Sequence, residues 1–269
     1  MAREGEGKTA LVTGASAGIG QAFAELLASR GYDLVLTARR RDRLEALAKT
    51  LSNQHGVRVE IIADDLADPA APSRIAAELK ARKLHVDVLI NNAGYGVPGL
   101  YMKSSWSDHA RFIQIMVTAV AELCYLLLPA MQERRWGRII NVASVAGMVP
   151  SPAGHTMYGA SKAFLIRFSE SLNAEGQASG VNATALCPGF THTEFHDVLG
   201  TREQMNQLPG YLWLNAQDVV LEGYNAVMNG EPVKVNGWIY RRLIWLAGTL
   251  PNWAVRAVSG RAGRTYRKT

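Results

Sequence analysis

A tyrosine and a lysine stand four residues apart in the stretch Tyr158-Gly159-Ala160-Ser161-Lys162. On a helix that spacing projects both side chains from one face. A phenol with its ordinary pKa of about 10 is a poor acid or base at neutral pH. A nearby ammonium stabilises the phenolate and lowers that value. Tyr-x3-Lys is common by chance, so the pair takes its meaning from its surroundings. Here these are the hydroxyl of Ser144, earlier in the chain, and a glycine-rich turn far upstream.

That turn is Thr13-Gly14-Ala15-Ser16-Ala17-Gly18-Ile19-Gly20, where an apolar strand gives way to a helix. Gly14 permits the tight turn, Gly18 lets the backbone approach a pyrophosphate, and Gly20 allows close helix–strand packing. Free amides at the positive helix end then face phosphates. The Gly-x3-Gly-x-Gly spacing departs from the usual Gly-x-Gly-x-x-Gly fingerprint, and the bland alternative is an ordinary strand-to-helix turn. Dinucleotide folds that prefer NAD carry an acidic residue about 20 residues further on. Here the second strand ends in Thr37-Ala38-Arg39-Arg40, and Asp33 lies at its wrong end. A guanidinium at Arg39 can make paired hydrogen bonds to a 2′-phosphate, which favours NADP(H) over NAD(H). Arg41 and Arg43 read as the solvated start of a helix.

The elements that must position these groups alternate. Strand-like runs fall at Thr9–Thr13, Tyr32–Thr37, Val57–Ile62, Val86–Ile90, Arg138–Val142 and Val181–Leu186. Helical stretches fall at Ile19–Arg30, Asp42–Asn53, from Pro69 to about Arg82, at His109–Arg134 and at Tyr158–Ala178. Short apolar runs separated by helices mark parallel strands buried on both faces. Right-handed crossovers then give a three-layer, Rossmann-type doubly wound α/β sheet in a single domain spanning 1–269, with strand order 3-2-1-4-5-6. Beyond Pro188 the pattern loosens: 190–214 reads as a flap, followed by a short strand at Val233–Val235, an Asn236-Gly237 turn and a helix over Trp238–Thr249.

The 269 residues are 48% hydrophobic and 19% charged, enough apolar side chain for a substantial core. Two cysteines form no framework, which suits a reducing, cytoplasmic compartment. The sequence shows no signal peptide and no uninterrupted apolar run of membrane-spanning length. His109, His192 and His196 have no acidic or thiol partners in sequence, so no metal site is expected. From Trp238 onward there are seven basic residues and no acidic one, leaving 22 basic against 23 acidic before it. This basic tail, 238–269, also carries Trp238, Trp245 and Trp253. It suits packing on its own domain or a partner subunit, or peripheral contact with an anionic membrane surface. No reader motif accompanies the cations, so nucleic acid is not an expected partner.

Along nearly its whole length the chain resembles the short-chain dehydrogenase/reductase family. The resemblance rests on Thr13–Gly20, Asp65-Leu66, Asn91-Asn92-Ala93-Gly94, Ser144 in Asn141–Gly147, Tyr158 to Lys162, and Pro188-Gly189. It implies that Tyr158 gives the proton to a carbonyl oxygen, Ser144 hydrogen-bonds that oxygen, and Lys162 also binds the nicotinamide ribose. It implies that NADP(H) is held by Gly14, Ser16, Gly18, Ile19, Gly20, Arg39, Asp65, Leu66, Asn92, Ala93, Gly94, Tyr158, Lys162, Pro188, Gly189, Thr191 and Thr193. It further implies a homodimer or homotetramer paired through the long helices. One departure stands out: Met116 falls where the family carries an asparagine in a proton relay, and a thioether cannot replace an amide's hydrogen bonds. Gln114, two residues away along a helix, points elsewhere.

Tyr95, Val97, Met148, Val149, His155, Phe190, Phe195 and Trp213 are expected to face the substrate. They are largely apolar, which suggests a lipophilic carbonyl or alcohol such as a 3-oxoacyl thioester. Met116 sustains one alternative, an NADP(H)-binding regulatory or scaffold protein with little turnover.

Overall fold

The computed structural model describes residues 3–97, 99–151, 153–154, 156–194 and 209–250. His155, Phe195, His196, most of the expected flap and the tail beyond Leu250 lie outside them. Strands β1 (Thr9–Thr13), β2 (Asp33–Thr37), β3 (Val59–Ile61), β4 (Val88–Asn91), β5 (Gly137–Val142), β6 (Val181–Cys187) and β7 (Val233–Val235) build one sheet. Every pairing is parallel, and the order is β3-β2-β1-β4-β5-β6-β7. The expected ladder is present, extended by β7 at the β6 edge.

Strands β1 and β4 are buried along their whole lengths because helices cover both faces. Helices α1 (Gly18–Ser29) and α2 (Arg41–His55) pack on one face. The other face carries α3 (Ala71–Ala81), a rod made of α4 (Trp106–Ile113) and α5 (Ala119–Glu133), and α6 (Thr156–Gly176). A helix absent from the sequence reading, α7 (Ala216–Met228), returns the chain from β6 to β7 beside α1. Asn215 caps it by accepting from the Gln217 amide, and Val219, Val220, Tyr224 and Val227 are its buried stripe. The last described helix, α8, covers Trp238–Thr249, as its sequence suggests.

From the sequence, one helical stretch is expected over His109–Arg134, along the observed rod. Instead its middle, Gln114–Thr118, is a π-helical turn, a form that shifts the register of everything beyond it. By length and apolarity the rod could cross a bilayer, although the sequence contains no unbroken apolar run of that length. Its Phe112, Met116, Ala119, Leu123 and Met131 are buried against the sheet, so here it serves as a core helix.

Parallel strands end together, and that shared edge is where the site forms. The β1–α1 turn and the residues after β4 meet there, since β1 and β4 are neighbours on which the chain winds in opposite directions.

Candidate active site

The glycine turn is held from across this edge. Asn92 donates its side-chain amide to the carbonyls of Thr13 (3.0 Å) and Gly14 (3.2 Å). Thr13 Oγ1 accepts from the amides of Asn92 and Ala93 at 2.9 and 3.0 Å. The fit leaves no room for side chains. Gly14 has φ of 65°, and a Cβ on Gly20 would lie 2.3 Å from the Gly14 carbonyl oxygen. Helix α1 begins at Gly18 with no side-chain cap and no acidic residue in its first turn. Its positive end is therefore open to an anion, and the turn fits a dinucleotide's pyrophosphate.

A cluster of cations lies beside the turn. Arg40 donates to Ser16 Oγ (3.1 Å) and stands 3.5 Å from Glu194, while Arg43 reaches both Glu194 oxygens at 2.8 and 2.9 Å. From the sequence, Arg39 is expected to read a 2′-phosphate and Arg43 to be solvated. In the fold, Arg40 reaches Ser16 and Glu194 joins Arg40 to Arg43. Exposed Arg39 acts electrostatically on Tyr95, as do Asp65 and Arg111. Asp65 folds back to accept from the Ala67 amide at 3.0 Å and stands 3.7 Å from Arg111. Leu66, beside it, is buried.

The reactive groups converge one strand further on. Ser144 follows β5 in extended backbone, accepts from the Ala146 amide (3.1 Å) and donates to the Pro188 carbonyl (3.4 Å). Tyr158, in the first turn of α6, is hydrogen-bonded to Ser144. Lys162, one turn later, is 7% exposed, donates to the Val142 carbonyl at 2.7 Å and lies 5.6 Å from the Tyr158 ring centre. Gly147 lets the segment after Ser144 lie against α6, since a Cβ there would sit 2.6 Å from the Ala163 nitrogen. Burial pushes Lys162 down to about 8. Burial also raises Tyr158, with the Ser144 hydrogen bond working against it. In the protein alone the phenol therefore lies above its ordinary value. The expected lowering belongs to the state in which Lys162 and the positive nicotinamide ring of the oxidised cofactor both face the phenol.

Met116 is 1% exposed, and its sulfur lies 2.8 Å from where a Cβ on Gly94 would stand. It thus fills the floor under the residues that follow β4. It sits inside the π turn, so helical spacing no longer decides where Gln114 points, and the buried Gln114 Nε2 has no hydrogen-bond partner.

Beyond β6, a Cβ on Gly189 would strike the Tyr240 ring, and Thr191 Oγ1 bonds back to the Gly189 carbonyl at 3.1 Å. Thr193 covers Gly18, its Cβ 3.0 Å from the place of a Gly18 Cβ. The two described ends of the expected flap are joined: the Leu214 amide bonds Phe190 (2.8 Å) and the His192 amide bonds Leu214 (3.1 Å). Trp213 stacks on His192 and lies 6.0 Å from Phe190. Tyr95 packs edge-on against Phe112.

A parallel doubly wound sheet with a glycine cradle at its switch point and a Ser–Tyr–Lys set beside it defines a dinucleotide-dependent oxidoreductase. Residues 8–204 match the family model for short chain dehydrogenases, and the chain belongs to that family. Among its relatives is the 3-oxoacyl-[acyl-carrier-protein] reductase FabG of Escherichia coli (strain K12), 33% identical over 87% of this chain and 98% of the relative. A sulfoacetaldehyde reductase of Chromohalobacter salexigens is 40% identical over 68% of this chain and 72% of its own length. A short-chain dehydrogenase from Sphingobium yanoikuyae in complex with NADPH superposes with a TM-score of 0.80 and 35% identity, over 90% of this chain and 92% of that one.

Proposed function

We propose that the chain is an NADPH-dependent carbonyl reductase acting on a lipophilic ketone or aldehyde. The observation that carries it is the hydrogen-bonded Ser144–Tyr158 pair, with Lys162 one helical turn on, beside a cradle and cation cluster fitted to a phosphorylated dinucleotide. NADPH, when bound, supplies the hydride. The glycine turn and α1 hold its pyrophosphate, and Arg39, with Arg40, Arg43 and Ser16 of the neighbouring cluster, faces its 2′-phosphate. Asn92 acts by holding that turn in shape. Pro188, Gly189, Thr191 and Thr193 cover the cofactor from the β6 side. Ser144 orients the substrate oxygen. Tyr158, protonated at neutral pH, donates its proton there, and Lys162 places a positive charge beside the phenolate that results.

The apolar surroundings, Tyr95, Met148, Phe190 and Trp213, favour a hydrophobic substrate. The likeness to a 3-oxoacyl thioester reductase points to that class. The rival reading, a cofactor-binding regulator, rests on Met116 alone, which serves here as packing. Loss of NADPH absorbance is the direct test, with a panel of apolar ketones, aldehydes and 3-oxoacyl thioesters as substrates. Turnover of a member supports the reading; tight NADPH binding with no turnover across the panel overturns it.

The association state we propose is a homodimer or homotetramer, paired through the outward faces of α5 and α6. Tyr125 is 78% exposed there, and Phe164, partly exposed, stacks on Phe168. The buried free thiols Cys124 and Cys187 support a cytoplasmic location. We also propose peripheral contact with anionic membranes through the tail. Trp238, Ile239, Leu243 and Leu246 of α8, with Tyr211 and Arg242, line an apolar groove of about 400 Å³. Release of the protein from cell membranes by high salt agrees with that placement, and release by detergent alone contradicts it.

A further inference from the structure

The cation cluster beside the glycine turn already holds an anion of the chain's own. Glu194 receives Arg43 through both oxygens at 2.8 and 2.9 Å and has Arg40 at 3.5 Å, while Arg40 also binds Ser16. Two guanidiniums around one carboxylate, one of them also donating to the Ser16 hydroxyl, are the donors that a phosphate monoester asks for. The carboxylate reaches them because Thr193, one residue before it, rests on Gly18 of the turn. The segment after β6 thereby crosses from the phosphate turn to the start of α2.

We propose that Glu194 is a built-in competitor for the 2′-phosphate of NADP(H), a specificity-determining residue that occupies the seat until the cofactor displaces it. The proposal rests on the reading of this cluster as the 2′-phosphate site. A dianion and a carboxylate cannot share two cations at these distances without repulsion, so the phosphate must break the Glu194 pairs to bind fully. NADP(H) is therefore held less tightly than the bare cluster would hold it, whereas a cofactor without the 2′-phosphate leaves Glu194 in place. The residues concerned are about half exposed, so the effect is moderate and weakens in salt.

The experiment is calorimetric titration at low salt of wild-type protein and the near-isosteric Glu194→Gln variant. The ligands are adenosine 2′,5′-bisphosphate and 5′-AMP, which differ only in the 2′-phosphate and contain no nicotinamide. The expected result is about a three- to tenfold tighter bisphosphate complex in the variant, with 5′-AMP binding unchanged. Unchanged or weaker bisphosphate binding in the variant, or an equal gain for both ligands, overturns the proposal while the site reading stands. A wild-type protein that binds the two ligands equally overturns the site reading, and the proposal with it.

Discussion

At the scale of single residues, the reactive set pairs a buried phenol with a buried lysine one helical turn away. Burial keeps the Tyr158 phenol protonated at neutral pH, the state needed to hand a proton to a carbonyl oxygen. Cys187, whose thiol burial pushes up to about 12, stays neutral and offers Lys162 no counter-ion. Lys162, pushed down to about 8, is charged below that pH and neutral above it. Its ammonium is the nearby charge able to support a phenolate, so kcat/KM for NADPH, which reports groups of the free enzyme, should fall as pH rises through about 8. A profile flat to about pH 10, near the ordinary lysine value, would contradict this assignment. Ser144, Tyr158 and Lys162 could be picked out from sequence because each lies in a short local motif. Glu194 could not: its partner Arg40 is 154 residues away, and only the fold brings them together.

At the scale of elements, α8 ties the substrate side together through one phenol. Tyr240 accepts from the Phe190 amide at 3.1 Å and donates to the Leu212 carbonyl at 2.7 Å, so a single hydroxyl joins the two described ends of the flap. Tyr240→Phe keeps the ring over Gly189 and removes both bonds. The expected result is a loss of about 1–2 kcal/mol in stability, with KM for the carbonyl substrate raised several-fold and the Kd for NADPH unchanged. Denaturant unfolding and steady-state kinetics check it, and an unchanged KM would separate the hydroxyl from substrate positioning. Most elements were readable because apolar runs and turn glycines coincide, as in β1, β7 and α8. Helix α7 escaped because Gly223 interrupts its stripe. That glycine is needed for contact, since a Cβ there would lie 2.8 Å from Leu186. The π turn carries no mark at all: Gln114–Thr118 contains neither glycine nor proline.

At the scale of the whole molecule, the seven-stranded sheet gathers groups from the ends of β1 to β6 at one edge and leaves the faces of α5 and α6 outward. Association through those faces predicts a dimer or tetramer in light scattering at micromolar concentration, dissociated by Tyr125→Glu; a wild-type monomer would contradict it. Hydride transfer from NADPH paired with proton transfer from Tyr158 remains the central claim, and Tyr158→Phe tests it most directly. The ring and its packing stay, and only the proton and the bond to Ser144 go. NADPH binding should be preserved while carbonyl reduction falls by about 10²-fold or more. Turnover like that of the wild type, at equal NADPH affinity, would contradict the account.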